Sequence, residues 1–116
     1  MKKLMTLVVL FMTISLSAQD KNAKGSLEVD GVCNMCKARI EKAAIKITGV
    51  KSVKWSVETH KLDGIYDARK TNFDSVAKYV AIAGHDTKKF TATDEAYNAV
   101  NPCCKYRDEE VVKAHQ

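Results

Sequence analysis

The chain has 116 residues, 28% of them charged and 7% aromatic, with a formal charge of +5. That length allows one small domain with a single modest core and no more. Lys and Arg alternate with Asp and Glu through most of the chain instead of gathering between stacking aromatics, so they read as a solvated surface and not as a nucleic-acid interface.

Lys2 and Lys3 precede an apolar run from Leu4 to Leu16 broken only by Thr and Ser, and Ser17-Ala18-Gln19 offers a small-residue cleavage site. Residues 1–18 therefore read as a signal peptide, and export across the inner membrane into the periplasm is expected. The run is shorter than the ~20 residues of a membrane span, so no permanent anchor is expected after cleavage. Loss of Lys2 and Lys3 would lower the formal charge to +3. Residues 19–24 are small and polar and read as a flexible leader.

Leu27 and Val29 then alternate with Ser26, Glu28 and Asp30, the period-two pattern of a half-buried strand. From Cys36 the period lengthens. Ile40, Ala43, Ala44 and Ile47 share one helical face, Lys37, Arg39, Glu41, Lys42 and Lys46 the other, and Thr48-Gly49 ends the helix. Val53, Trp55 and Val57 mark a second strand, with Trp55 expected in the core, and Glu58 to Lys61 turns into a third from Leu62 to Tyr66, weakest at Gly64. Thr71 to Asp74 offers a side-chain oxygen to first-turn amides; Phe73, Val76, Ala77, Val80 and Ala81 form the next apolar stripe, and Gly84 closes that helix. His85 to Thr91 supplies a short fourth strand. The order predicts an α+β fold, βαββαβ, with two helices on one face of a four-stranded antiparallel sheet across residues 25–92. Residues 93–116 form a cysteine-containing C-terminal extension with a short helix from Asp108 to Ala114, and Tyr97, Pro102 and Tyr106 imply that it packs on something.

Gly31 to Cys36 lies where the first strand gives way to the first helix. A helix start presents unpaired amide donors and a partial positive charge, both of which favour anions. Thiolates are anions, so Cys33 and Cys36 are both expected to be deprotonated near neutral pH. Their C-x-x-C spacing lets two sulfurs converge on one ion from a loop and a first turn. Two thiolates suit a soft, low-coordinate ion, Cu(I) foremost or Hg(II), better than the tetrahedral set that structural Zn(II) prefers, with Zn(II) a third candidate. Thioredoxin-like redox proteins carry the same motif, but the one proline, Pro102, lies near the end and supplies no separate cis-Pro loop. No Gly-rich phosphate loop, nucleophile elbow or metalloprotease spacing is present, so the chain is not expected to be an enzyme.

The Cys33-Asn34-Met35-Cys36 loop, the following Arg39-Ile40-Glu41-Lys42, the Gly49-Val50 turn and the Ala83-Gly84-His85-Asp86 segment together resemble the heavy-metal-associated domain family of copper chaperones, copper-ATPase modules and periplasmic mercury-binding proteins. The resemblance implies a ferredoxin-like sandwich that holds one soft ion between Cys33 and Cys36 and passes it by thiolate exchange to a metal transporter or another metal-binding domain. Gly31 stands where the family usually places a Met packed under the loop, and Met35 is expected to plug that space, or else to stand near the metal as a thioether. His85 corresponds to a family position close to the metal, where it would be a third ligand or tune the thiolates. His60 and His115 read as surface.

Cys103 and Cys104 lie outside the part that resembles the family. Bonded to each other they would close a small strained ring, so three arrangements stay open: sulfurs added to the Cys33 and Cys36 site, a second site or a bridge between protomers, and disulfides to the first pair. Three functions compete as well. They are a soft-metal carrier, chaperone or scavenger, acting as a monomer or a metal-bridged dimer; a thiol-disulfide redox protein using the same C-x-x-C; and an interaction module of a larger assembly.

Overall fold

The alternating segments form a three-stranded antiparallel sheet in the order β1-β3-β2, built from β1 (Ala23–Glu28), β2 (Val50–Trp55) and β3 (Lys61–Tyr66). This is a computed structural model that describes residues 20–116; the expected signal peptide lies outside the described residues. The helices are α1 (Asn34–Ile45), α2 (Phe73–Ile82), α3 (Asp94–Asn98) and α4 (Glu109–Ala114), with a 3-10 turn at Pro102–Cys104. Among the described residues no helix is long and apolar enough to cross a membrane.

Helix α1 packs on β2, α2 packs on β1, and the two helices touch each other, so both lie on one face of the sheet. Their apolar stripes, Ile40 and Ala44 from α1 and Val76 and Val80 from α2, are fully buried with Val29 and Leu62. Trp55 completes this core at 1% exposure; truncating a buried Trp costs about 3–5 kcal/mol. Polar groups fix the layers. The Glu41 carboxylate accepts the Trp55 amide at 2.9 Å, and Arg39 donates to the Ala83 carbonyl at 2.9 Å, where α2 ends in carbonyls without helical partners. The Asn72 side chain accepts from the Ser75 amide at 2.9 Å and caps α2, as the sequence predicts.

Three boundaries differ from expectation. Strand β1 begins at Ala23, inside the stretch read as leader, because Ala23 and Lys24 pair with Tyr66 and Ile65. Val57 falls beyond β2, since the chain turns with His60 at φ 61° and the His60 amide returns to the Ser56 carbonyl at 2.8 Å. The fourth strand does not form. The segment's one strand-type pairing among the described residues is the bridge of Val29 with Thr87, because its donors are satisfied locally: Thr87 N–H by the Phe90 carbonyl at 2.9 Å, and Ala92 N–H by the Asp86 carboxylate at 2.7 Å. A cleft of about 450 Å³ lies between β1, α2 and Thr87 to Lys89.

The extension is part of the core. Val100 and Cys104 are buried against the helices and sheet, and α3, which the sequence pattern does not reveal, is capped by the Thr93 hydroxyl. Gly84 permits this packing. Its φ is +106°, a region that favours glycine, and a Cβ there would lie 2.7 Å from the Ala96 carbonyl oxygen and 2.7 Å from Val100. Gly84→Ala should therefore cost roughly 2 kcal/mol, seen as a lower midpoint in urea unfolding; an unchanged midpoint would show that the extension is not seated on that residue.

Candidate metal centre

Cys33 is the N-cap of α1, with extended backbone at φ −145° and ψ 175°. Its carbonyl accepts the Lys37 amide at 3.0 Å, starting the helix, and its sulfur lies 3.5 Å from that of Cys36 in the first turn. The Cys36 sulfur is buried and accepts the Val32 amide at 3.4 Å. Trp55 fills the space beneath this loop, and its indole N–H points between the carbonyls of Val29 and His60, at 3.1 Å from each. A Cβ on Gly31 would come within 3.0 Å of the indole ring, so the glycine that replaces the family's Met makes room for a larger side chain from the sheet. The His60 ring stacks on the indole at 5.6 Å, and so packs on the protein instead of standing free.

The extension delivers two more sulfurs. Those of Cys103 and Cys104 lie 3.5 and 3.6 Å from the Cys33 sulfur, and these three atoms are all within 4.8 Å of one another. All four cysteines are free, and the vicinal pair folds back beside Cys33. Met35 is not the expected plug, because Trp55 occupies that space. It is 49% exposed on the rim, with its thioether sulfur 3.3 Å from that of Cys103.

The sulfurs ionise unequally. Burial resists ionisation of Cys33, but the Cys36 amide and the thiols of Cys36, Cys103 and Cys104 outweigh it and bring its pKa down to about 7. Burial pushes Cys36 up, and Cys103 is raised by its hydrogen bond with the Cys33 sulfur and by desolvation. Cys104 is raised furthest, by burial and by the Cys36 and Cys33 sulfurs. The expectation that both sulfurs ionise near neutral pH is thus corrected: Cys33 is lowered while Cys36 is raised, because sulfurs this close cannot all be charged without a cation.

His85 is not in the sulfur group. It is fully buried, its Nδ1 is 2.9 Å from the Asp30 carbonyl, and its ring stacks on Tyr106 at 5.5 Å. Desolvation holds its pKa below the ordinary value, so the ring is neutral, and Nε2 has no hydrogen-bond partner. It steadies the backbone just ahead of Gly31 without facing the sulfurs as a group. His115 is exposed near the C-terminus.

The segment after His85 also anchors the extension. The Tyr106 hydroxyl donates to the Gly84 carbonyl at 2.6 Å and accepts the Asp86 amide at 2.9 Å. Arg107 makes a two-pronged contact with the Asp86 carboxylate at 3.0 and 2.8 Å and donates to the Ala92 carbonyl at 2.9 Å. Burial opposes the charge on Asp86, yet this guanidinium keeps its carboxyl below the usual range. Tyr106 was expected to pack, but Arg107 does not stand out in the sequence, because its partner Asp86 lies 21 positions away.

Four cysteine sulfurs with a thioether at the rim form a soft donor set, which fits a soft ion and offers nothing to a hard one. A ferredoxin-like α+β frame carrying such a set at a strand-to-helix junction defines a metal-binding module. The chain belongs to the heavy-metal-associated domain family, whose sequence profile matches residues 26–86. It is similar to the solved structure of the CopZ metallochaperone, at 27% identity and a TM-score of 0.54 over 56% of this chain and 98% of that one. It is likewise similar to the water-soluble region of the P-type ATPase CopA from Bacillus subtilis, at 25% identity and a TM-score of 0.53, covering 57% of this chain and 44% of that one. Oxidized MerP from Ralstonia metallidurans CH34 aligns at 26% identity and a TM-score of 0.49, over 57% of this chain and 96% of that one. No curated protein sequence matches the chain.

Because thiolate is the reactive form, alkylation of the reduced, metal-free protein should label Cys33 first. Its rate should rise through a midpoint near pH 7, as its lowered pKa requires. Peptide mapping across pH 5–10 checks this, and a midpoint near that of an ordinary thiol at about 8.5 would contradict the helix-start argument.

Proposed function

We propose that this protein is an exported carrier or scavenger of a soft metal ion, Cu(I) foremost, with Hg(II) and Zn(II) as alternatives, captured by Cys33 and Cys36. The observation that carries the reading is the pair of sulfurs 3.5 Å apart at the start of α1 in a heavy-metal-associated domain. Cys33 supplies the first thiolate, and each further thiol gives up its proton to solvent as it becomes a ligand, so uptake strengthens as pH rises. The similarity to the CopZ metallochaperone and to part of the CopA P-type ATPase supports delivery to a metal transporter or another metal-binding domain. Export rests on Lys2, Lys3, the apolar run to Leu16 and the Ser17-Ala18-Gln19 site. The protein recovered from a periplasmic fraction should therefore begin at Gln19, which terminal sequencing reads directly.

Titration of the reduced protein with Cu(I) against a competing chelator tests the capture site. One tightly held equivalent is expected. Replacing both Cys33 and Cys36 with Ser should weaken binding by at least about two orders of magnitude, since losing even an outer-shell partner of a ligand costs 10–100-fold. Wild-type affinity in that variant would remove the C-x-x-C site. Turnover of insulin disulfides by the metal-free protein would favour the redox alternative instead.

A further inference from the structure

The vicinal cysteines fall outside residues 26–86, which match the family, yet the C-terminal extension brings both to Cys33. We infer that this extension is a sulfur-bearing clasp: the ion taken up by Cys33 and Cys36 is retained by Cys103 and Cys104 as well, so that the carrier hands it on slowly. The inference rests on the soft-ion reading above.

Local geometry carries the argument. In an extended strand, neighbouring side chains point to opposite faces. A 3-10 turn has three residues per turn, so successive side chains are about 120° apart. Pro102 at the first position sets that turn, and the Cys104 amide closes it on the Asn101 carbonyl at 2.7 Å. Cys104 is thereby turned fully inward and Cys103 toward the rim beside Met35, with both sulfurs near one hub.

The turn is held from both sides. Before it, Val100 is buried against Gly84; after it, Tyr106 and Arg107 lock onto Gly84, Asp86 and Ala92. Lys105 also reaches back to the carbonyls of Tyr97 and Asn98 at 3.0 and 2.9 Å. A loose tail would not need such anchoring. Cys33 belongs to two donor sets, the pair with Cys36 and the trio with Cys103 and Cys104. An ion on Cys33 therefore passes between them by exchanging one sulfur for another. Each incoming thiol releases a proton to solvent, each displaced thiolate takes one up, and the metal keeps its oxidation state. With sulfurs already tethered around the ion, loss of one bond is followed by recapture at high effective concentration.

X-ray absorption on the reduced, Cu(I)-loaded full chain should count three or four sulfurs. Release into excess Cu(I) chelator should be on the order of tenfold slower than from the Cys103→Ser, Cys104→Ser double variant, in which the recapture is lost. Since Cys104 is buried, Cys103→Ser alone and Arg107→Gln repeat the measurement with less disturbance of the core, circular dichroism confirming the fold; both should release copper faster with the stoichiometry unchanged. A count of two, with release the same in all forms, would overturn the clasp and leave capture by Cys33 and Cys36 standing. A wild-type protein that takes up no copper would instead overturn the capture site and the clasp with it.

Discussion

The meeting of one sulfur with the free amides of a helix start underlies the chemistry of this molecule. Cys33 sits in extended backbone at the mouth of α1, where the peptide dipoles of the helix point their positive end, and its pKa is lowered there. Everything else in the site is arranged relative to that atom: Cys36 from the same turn, and Cys103 and Cys104 from the far end of the chain.

Two supports hold the loop in position, and they come from different layers. From the sheet, Trp55 fills the space under Gly31 and ties Val29 to the hairpin through its indole N–H. From the segment after α2, His85 grips the Asp30 carbonyl while Gly84 and Asp86 receive the extension. The same few residues thus fix both the binding loop and the chain that covers it. The shared support is a physical reason for the extension to behave as one body with the domain.

The parts of the fold that rest on local periodicity were legible in the sequence. The stripe of Ile40 and Ala44, the alternation through Val53 and Trp55, the Asn72 cap and the Gly84 stop are all properties of short windows, and the C-x-x-C motif is a window of four. What escaped depended on distant partners. A fourth strand was a fair reading of His85 to Thr91, but Arg107 and Ala92 claim the Asp86 carboxylate and the chain turns aside. Met35 looked like the natural plug until Trp55, twenty residues on, took the space. The unequal ionisation of the cysteines was equally hidden, because it depends on sulfurs contributed from positions 103 and 104.

The shortened sheet has a cost at its margin. Beyond the single bridge from Val29 to Thr87, the outer flank of β1 is paired with no strand among the described residues, and an open strand flank invites edge-to-edge aggregation with other chains. Here the flank is six residues long, carries exposed Lys24 and Glu28, and has the Lys88 ammonium 3.4 Å from the Glu28 carboxylate across its end. Short length and the charges of Lys24 and Glu28 make it a poor template for intermolecular pairing.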